Sequence, residues 1–371
     1  GFRFQVSGFR FQVSGFRFDF TPFWTVDFTS FRLSPLRFDS LALRAPISIF
    51  SIVCFRCAPA QVSLFPAMIS LFRTLSTVLA ASFALASFFY SSARAADPDI
   101  GTITPDLVIP PVTSEVPAAG KRVFYRMPGD PESVPEMVLY LPSDWSPEKR
   151  YPVLVEYAGN GNYKNGFGDV STGRPEGSQL GYGLSGGVGY LWVCLPFLND
   201  PGDELAVTWW GDPPRHQADS TVAFAKRAVP EICRLFSGDP KRVILCGFSR
   251  GALACNAIGL FDDEVATLWR GFFCYSHYDG VREQWPYAGA NRKSARLRLL
   301  RLGGRPQFIC QENSVDATKQ YLQDTGVAGD FTFHVTGFRN HNDGWTLRPS
   351  PAREAARAWL QRVSQGAASG R

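Results

Sequence analysis

A chain of 371 residues with 45% hydrophobic and 14% aromatic side chains can bury one large core or two smaller ones, which excludes a disordered protein. Its formal charge of +5 is spread over 38 basic and 33 acidic residues without a long Lys/Arg run. Neither nucleic acid nor a membrane surface is therefore expected as a partner.

The opening stretch, GFRFQVSGFRFQVSGFRFDF, repeats every seven residues and fades in its third copy. Phe2, Phe4 and Val6 alternate with Arg3 and Gln5 at the period of a strand, but so few copies cannot bury a core by stacking. The first methionine is Met68. From there, MISLFRTLSTVLAASFALASFFYSSARA has an early basic residue (Arg73), an apolar stretch from Leu75 to Tyr90 and small residues at Ala93 and Ala95. That is the layout of a secretory signal cleaved after Ala95. The apolar run is short for a bilayer span and is broken by Ser and Thr, so no stable membrane anchor is expected. An export signal is read at a chain's start. Residues 1–67 are accordingly expected to be non-native upstream sequence, disordered and remote from any site, 68–95 a signal peptide, and the protein secreted or periplasmic.

Residues 96–120 are Pro-rich, lack helical periodicity and read as an extended lead-in or linker. One domain is expected over 121–365, with 366–371 a disordered tail. Within the domain the apolar runs RVFYRM, EMVLYLP, YPVLVEYAG, GYLWVCLPF, RVILCGF, RGFFCYS, PQFICQE and DFTFHVTGF read as strands. DSTVAFAKRAVPEICRLF, RGALACNAIGLF, SVDATKQYLQDTG and SPAREAARAWLQRV read as helices. Continuous apolar strands separated by helices predict an α/β fold with a mostly parallel sheet covered on both faces. The first two runs, with no helix between them, are expected to pair antiparallel at one edge. Cys194, Cys246, Cys274 and Cys310 fall in core strands as small hydrophobes, so few or no disulfides are expected among them, Cys233 and Cys255. The CFRC at Cys54 and Cys57 has no second ligand pair nearby and makes a poor zinc site.

DPKRVILCGFSRGALACNAIGL contains Gly247-Phe248-Ser249-Arg250-Gly251, a G-x-S-x-G pattern. A buried strand precedes it, an Ala-rich helix follows, and small residues stand at its corners, as a nucleophile on a strained strand-to-helix turn requires. Serine needs a base, and the base an orienting carboxylate. Of the four histidines, His216 lies in a Pro-rich loop before the elbow and His334 alternates within a strand. His341, in GFRNHNDGW after the last strand, stands where the order serine, acid, histidine places the base; His277 is the next candidate. The acid is expected just after PQFIC. Glu312 is favoured; Asp316, which reads as a helix cap, is the alternative. The expected oxyanion donors are the amide of Arg250 and, from the Gly/Asn-rich loop VEYAGNGNYKNGFGD, Asn160. Trp209, Trp210 and Tyr278, with Trp285 and Tyr287, lie in loops that could wall a substrate site or equally supply interior aromatics.

These residues together resemble the α/β-hydrolase superfamily, in particular the secreted esterase branch of polyhydroxybutyrate depolymerases and feruloyl esterases. The resemblance is carried by VLYLPSDWSPEKRYPVLVEYAGNG, DPKRVILCGFSRGA and NHNDGW, and runs from Lys121 to Val363. It implies an eight-stranded, mostly parallel sheet with Ser249 as nucleophile and His341 as base. This sequence departs from it in having YAGNGN in place of a His-Gly-Gly oxyanion loop, and in lacking an Asp at the acid position, near which Ser314 stands. The expected function is a serine ester hydrolase of the carboxylesterase type, acting on a small-molecule or polysaccharide-linked ester with no metal or other cofactor. A peptidase of the same fold and a non-catalytic carbohydrate-binding relative are the alternatives.

Overall fold

A computed structural model of the chain describes residues 97–365, and the backbone of 10–13 and 16–19. The chain divides into two compact units, Gly1–Ser91 and Ser92–Arg371. In the first, Arg10–Val13 pairs antiparallel with Phe16–Asp19. The rest of the upstream stretch expected to be disordered, the signal segment and the C-terminal tail lie outside the described residues.

In the second unit, β1 (Val112–Thr113), β2 (Arg122–Tyr125), β3 (Met137–Tyr140), β4 (Tyr151–Tyr157), β5 (Leu191–Leu195), β6 (Gly238–Phe248), β7 (Gly271–Tyr275), β8 (Pro306–Gln311) and β9 (Asp330–Val335) form one sheet. Its order is β9-β8-β7-β6-β4-β5-β3-β2-β1. Strand β3 runs antiparallel to both its neighbours, β2 and β5, and every other pairing is parallel. The eight apolar runs of the sequence are β2 to β9. The sheet has nine strands and not eight, because Val112 and Thr113 of the lead-in pair parallel with Arg122 and Val123.

Alternate residues of the central strands feed two cores, one on each face. Val153, Val155 and Tyr157 of β4 pack with α2 (Asp219–Leu235) and α3 (Arg250–Ala257). Leu154 packs with α1 (Leu180–Ser185) and the last helix, Pro351–Gln365. Between them in sequence lie α4 (Asp263–Ala266), α5 (Arg292–Leu300) and α6 (Asp316–Thr325), which makes Pro351–Gln365 α7. Glu156 of β4 also enters the α1 side, fully buried. There it accepts hydrogen bonds from the Gln179, Leu180 and Gly181 amides and from the Trp192 indole, so it satisfies the first amides of α1.

The Pro-rich lead-in is not a free linker. Ile100 is buried and its amide donates to Asn340 Oδ1 at 2.7 Å. Asp99 pairs with Arg339 at 2.6 Å, Asp106 pairs with Arg353, and the amides of Asp106 and Leu107 reach the Leu347 carbonyl. Cys194, Cys233, Cys246, Cys255, Cys274 and Cys310 are buried free thiols. Among the described residues no helix is long and apolar enough to cross a membrane.

Candidate active site

The site begins where β6 turns into α3. Ser249, between them, has φ 54° and ψ −111°, a strained backbone for a residue with a side chain. The turn is tight enough that its flanking glycines are obligatory. A Cβ on Gly251 would stand 1.9 Å from the Tyr157 carbonyl oxygen of β4, and one on Gly247 2.2 Å from the Gly251 backbone. Strand, turn and helix thus lift the Ser249 side chain to the carboxyl end of the parallel strands.

Two loops at that end converge on it. His341, after β9, places Nε2 3.0 Å from Ser249 Oγ. Glu312, directly after β8, places Oε1 2.8 Å from His341 Nδ1. With Nδ1 bonded to a carboxylate, the imidazole is held in the tautomer whose Nε2 can accept the serine proton. Burial opposes the charge on Glu312, but the hydrogen bond and charge of His341 and the hydroxyl of Ser276 outweigh it, and the carboxyl titrates below its ordinary value. Asp316 lies elsewhere: it is exposed at the start of α6, and its carboxylate bonds the Ser314 hydroxyl.

The expected oxyanion donors come from two elements, the start of α3 and the loop after β4. Arg250 is the first residue of α3, where an amide has no partner within the helix. Its side chain turns into the core, with the guanidinium 3.9 Å from the centre of the Phe197 ring and bonded to the carbonyls of Ala206 and Gly173 at 3.0 Å each. Burial without a carboxylate partner pushes that guanidinium well below its ordinary range. Asn160 opens the loop after β4, and its Oδ1 is buried with no hydrogen-bond partner among the described residues.

His277 lies beside His341 and not between Ser249 and Glu312. Its ring centre is 5.4 Å from that of His341 and 5.1 Å from that of Trp285. Burial, with the neighbouring His341, lowers its pKa to about 4, so it is neutral at ordinary pH. His216 lies in its own loop with Nδ1 3.3 Å from the Gly211 carbonyl, and His334 stacks on Phe308. Two of the three aromatic residues expected to touch substrate are core side chains instead. Trp210 is 1% exposed between Phe197 and Tyr287, and Tyr278 is 2% exposed with its hydroxyl donating to Gln307. Trp209 is half-buried, packed on Trp285 at 5.6 Å.

The sequence reading passed over two polar residues. Ser276, at φ 86° after β7, places its hydroxyl 2.9 Å from His341 Nδ1. Asp169, in the loop after β4, accepts the His341 backbone amide at 3.0 Å. The signal available for Asp169 was a single carboxylate in a Gly/Asn-rich loop facing the asparagines that flank His341.

No family model and no curated protein matches the chain. Among solved structures it is similar to a fungal esterase from Rhizomucor miehei, at 14% identity over 62% of this chain and 79% of that one, with a TM-score of 0.42. A truncated carbohydrate esterase from gut microbiota is similar at 10% identity over 68% of this chain and 100% of that one, with a TM-score of 0.43. Dipeptidyl peptidase 4 of Porphyromonas gingivalis is similar at 14% identity over 62% of this chain, with a TM-score of 0.38. This chain spans 32% of that peptidase's length. Likenesses at these scores add nothing to the strand order and site geometry.

Proposed function

We propose that this chain, whose sheet and strand-to-helix elbow are those of the α/β-hydrolase fold, is a serine ester hydrolase acting through an acyl-enzyme on Ser249. The observation that carries the reading is the continuous relay from Ser249 Oγ to His341 Nε2 at 3.0 Å and from His341 Nδ1 to Glu312 at 2.8 Å. In the reading, Nε2 takes the Ser249 proton as Oγ attacks the ester carbonyl carbon. The tetrahedral oxyanion is met by the amides of Arg250 and Asn160, Glu312 stabilises the imidazolium, and His341 returns the proton to the departing alcohol. Water, deprotonated by the same imidazole, then releases the acid and restores Ser249. A small-molecule or polysaccharide-linked ester is the proposed substrate, and export through the 68–95 segment the proposed route.

A fluorophosphonate probe tests the chemistry. The folded protein is expected to be labelled, and Ser249→Ala to abolish labelling while melting at a similar temperature. A folded wild type that resists the probe would sink the proposal. A panel of p-nitrophenyl esters, acetylated xylan, feruloylated sugars and dipeptide amides would assign the substrate. Cleavage of the amides alone would favour the peptidase alternative.

A further inference from the structure

We propose that Asp169 is a positioning residue for the base, a buried carboxylate that fixes the His341 loop against the loop after β4. The role rests on the reading of Ser249, His341 and Glu312 as a hydrolytic triad.

Asp169 is 2% exposed. Its Oδ2 accepts from the His341 amide at 3.0 Å and from Asn165 Nδ2 at 2.7 Å. Its Oδ1 accepts from Asn340 Nδ2 at 3.0 Å and from Asn342 Nδ2 at 3.2 Å. Three consecutive residues of the base's loop are thus bonded to one side chain that belongs to the loop carrying Asn160. The Asp169 end is fixed in turn, because its own amide donates to Asn165 Oδ1 at 3.0 Å.

All four groups facing the carboxylate are N–H donors. A carboxylate is acceptor-only and can receive all four, whereas an asparagine would turn its own N–H groups toward two of them. Bonds to a charged acceptor are stronger than neutral ones, and burial removes the water that would compete. No cation is among these partners. The ring of His341 is held by Glu312 and Ser276 at Nδ1, but a ring follows its backbone, and Asp169 is what grips that backbone. A misplacement of about 1 Å in a catalytic group costs on the order of a hundredfold in rate.

The test is Asp169→Asn in the full chain, read by fluorophosphonate labelling rate and by turnover of p-nitrophenyl acetate. Labelling and kcat are expected to fall roughly a hundredfold with KM little changed, and the melting temperature to drop by a few degrees as two buried donors lose their acceptor. Equal labelling and equal kcat in a labelled wild type and in Asp169→Asn would overturn the positioning role while leaving the hydrolase reading intact. A folded wild type that resists the probe would overturn the hydrolase reading and the role with it. If Asp169→Asn does not fold, hydrogen exchange on the wild-type peptide containing His341 decides. Slow exchange of the His341 amide is expected, and exchange at the rate of a free loop amide overturns the clamp.

Discussion

Glu312 keeps its charge in a half-buried position because the hydrogen bond and charge of His341 outweigh the cost of burial. Replacing the carboxylate with an amide keeps the shape and loses both the tautomer control and the stabilised imidazolium. Glu312→Gln is therefore expected to lower kcat by about three to four orders of magnitude with little change in folding. Asp316→Asn, at the exposed start of α6, should leave kcat within about twofold, since surface substitutions away from a site have small effects. Steady-state kinetics on the two variants reads the difference, and the reverse result would reassign the acid. A second carboxyl, Asp343, is buried two residues past the base, and burial, reinforced by the charge of Glu156, raises its pKa to about 8. An unfolded Asp titrates near about 4, so between about pH 4 and pH 8 the folded protein keeps a proton that the unfolded chain releases. The contribution of Asp343 to stability therefore falls as pH rises through that window. Asp343→Asn, which keeps the Gln179 contact without an ionisable group, should shrink the difference between denaturation midpoints at pH 5 and pH 8. An undiminished difference would show that Asp343 does not titrate in this range. At this scale the sequence revealed residues whose chemistry follows from order along the chain, as with Ser249, Glu312 and His341. Asp169 and Ser276 have no such spacing, because they act across loops that only the tertiary fold brings together. Residue type misled for Trp210 and Tyr278, since a loop aromatic can serve a core as well as a substrate.

The element that sets the nucleophile is the β6–α3 junction, and its tolerance is measured in tenths of an ångström. At Gly251 any side chain would meet the Tyr157 carbonyl oxygen of the adjacent strand, and neither backbone can retreat without breaking the β4–β6 pairing at Gly247 and Tyr157. Gly251→Ala is expected to cost more than about 3 kcal/mol and to lower the melting temperature sharply. A variant that melts like wild type would mean that α3 can shift outward as a body. The strands were legible because a strand buried on both faces is a continuous apolar run, as in VILCGF and GFFCY. Helix α1 was not legible. Its sequence, LGYGLS, carries two glycines in six residues, and its first amides are satisfied by Glu156, which the Trp192 indole also bonds. Helix α5, RKSARLRLL, hid behind four basic residues. Its apolar side is narrow, while Arg298 reaches inward to a buried pair with Asp279 at 2.8 Å.

Across the whole molecule, the lead-in and the base's loop support one another. The Ile100 amide is bonded to Asn340, the residue before His341, and Asp99 to Arg339, the residue before that. The paired charges are largely exposed and contribute little. The buried Ile100 side chain, the added strand β1 and the satisfied Asn340 carbonyl oxygen are the larger contributions. A protein starting at residue 121 is thus expected to melt lower than one starting at 97, and to react more slowly with a serine-directed probe. Thermal melts and labelling rates of the two forms measure this, and equal values in both would return the lead-in to a linker. The same bond has a consequence for the order of synthesis. Ile100 leaves the ribosome 240 residues before Asn340 exists to receive it. Until residues 340 and 341 are made, Ser249 lacks the His341 imidazole, so on the proposed reading a chain that stops short of them carries no relay.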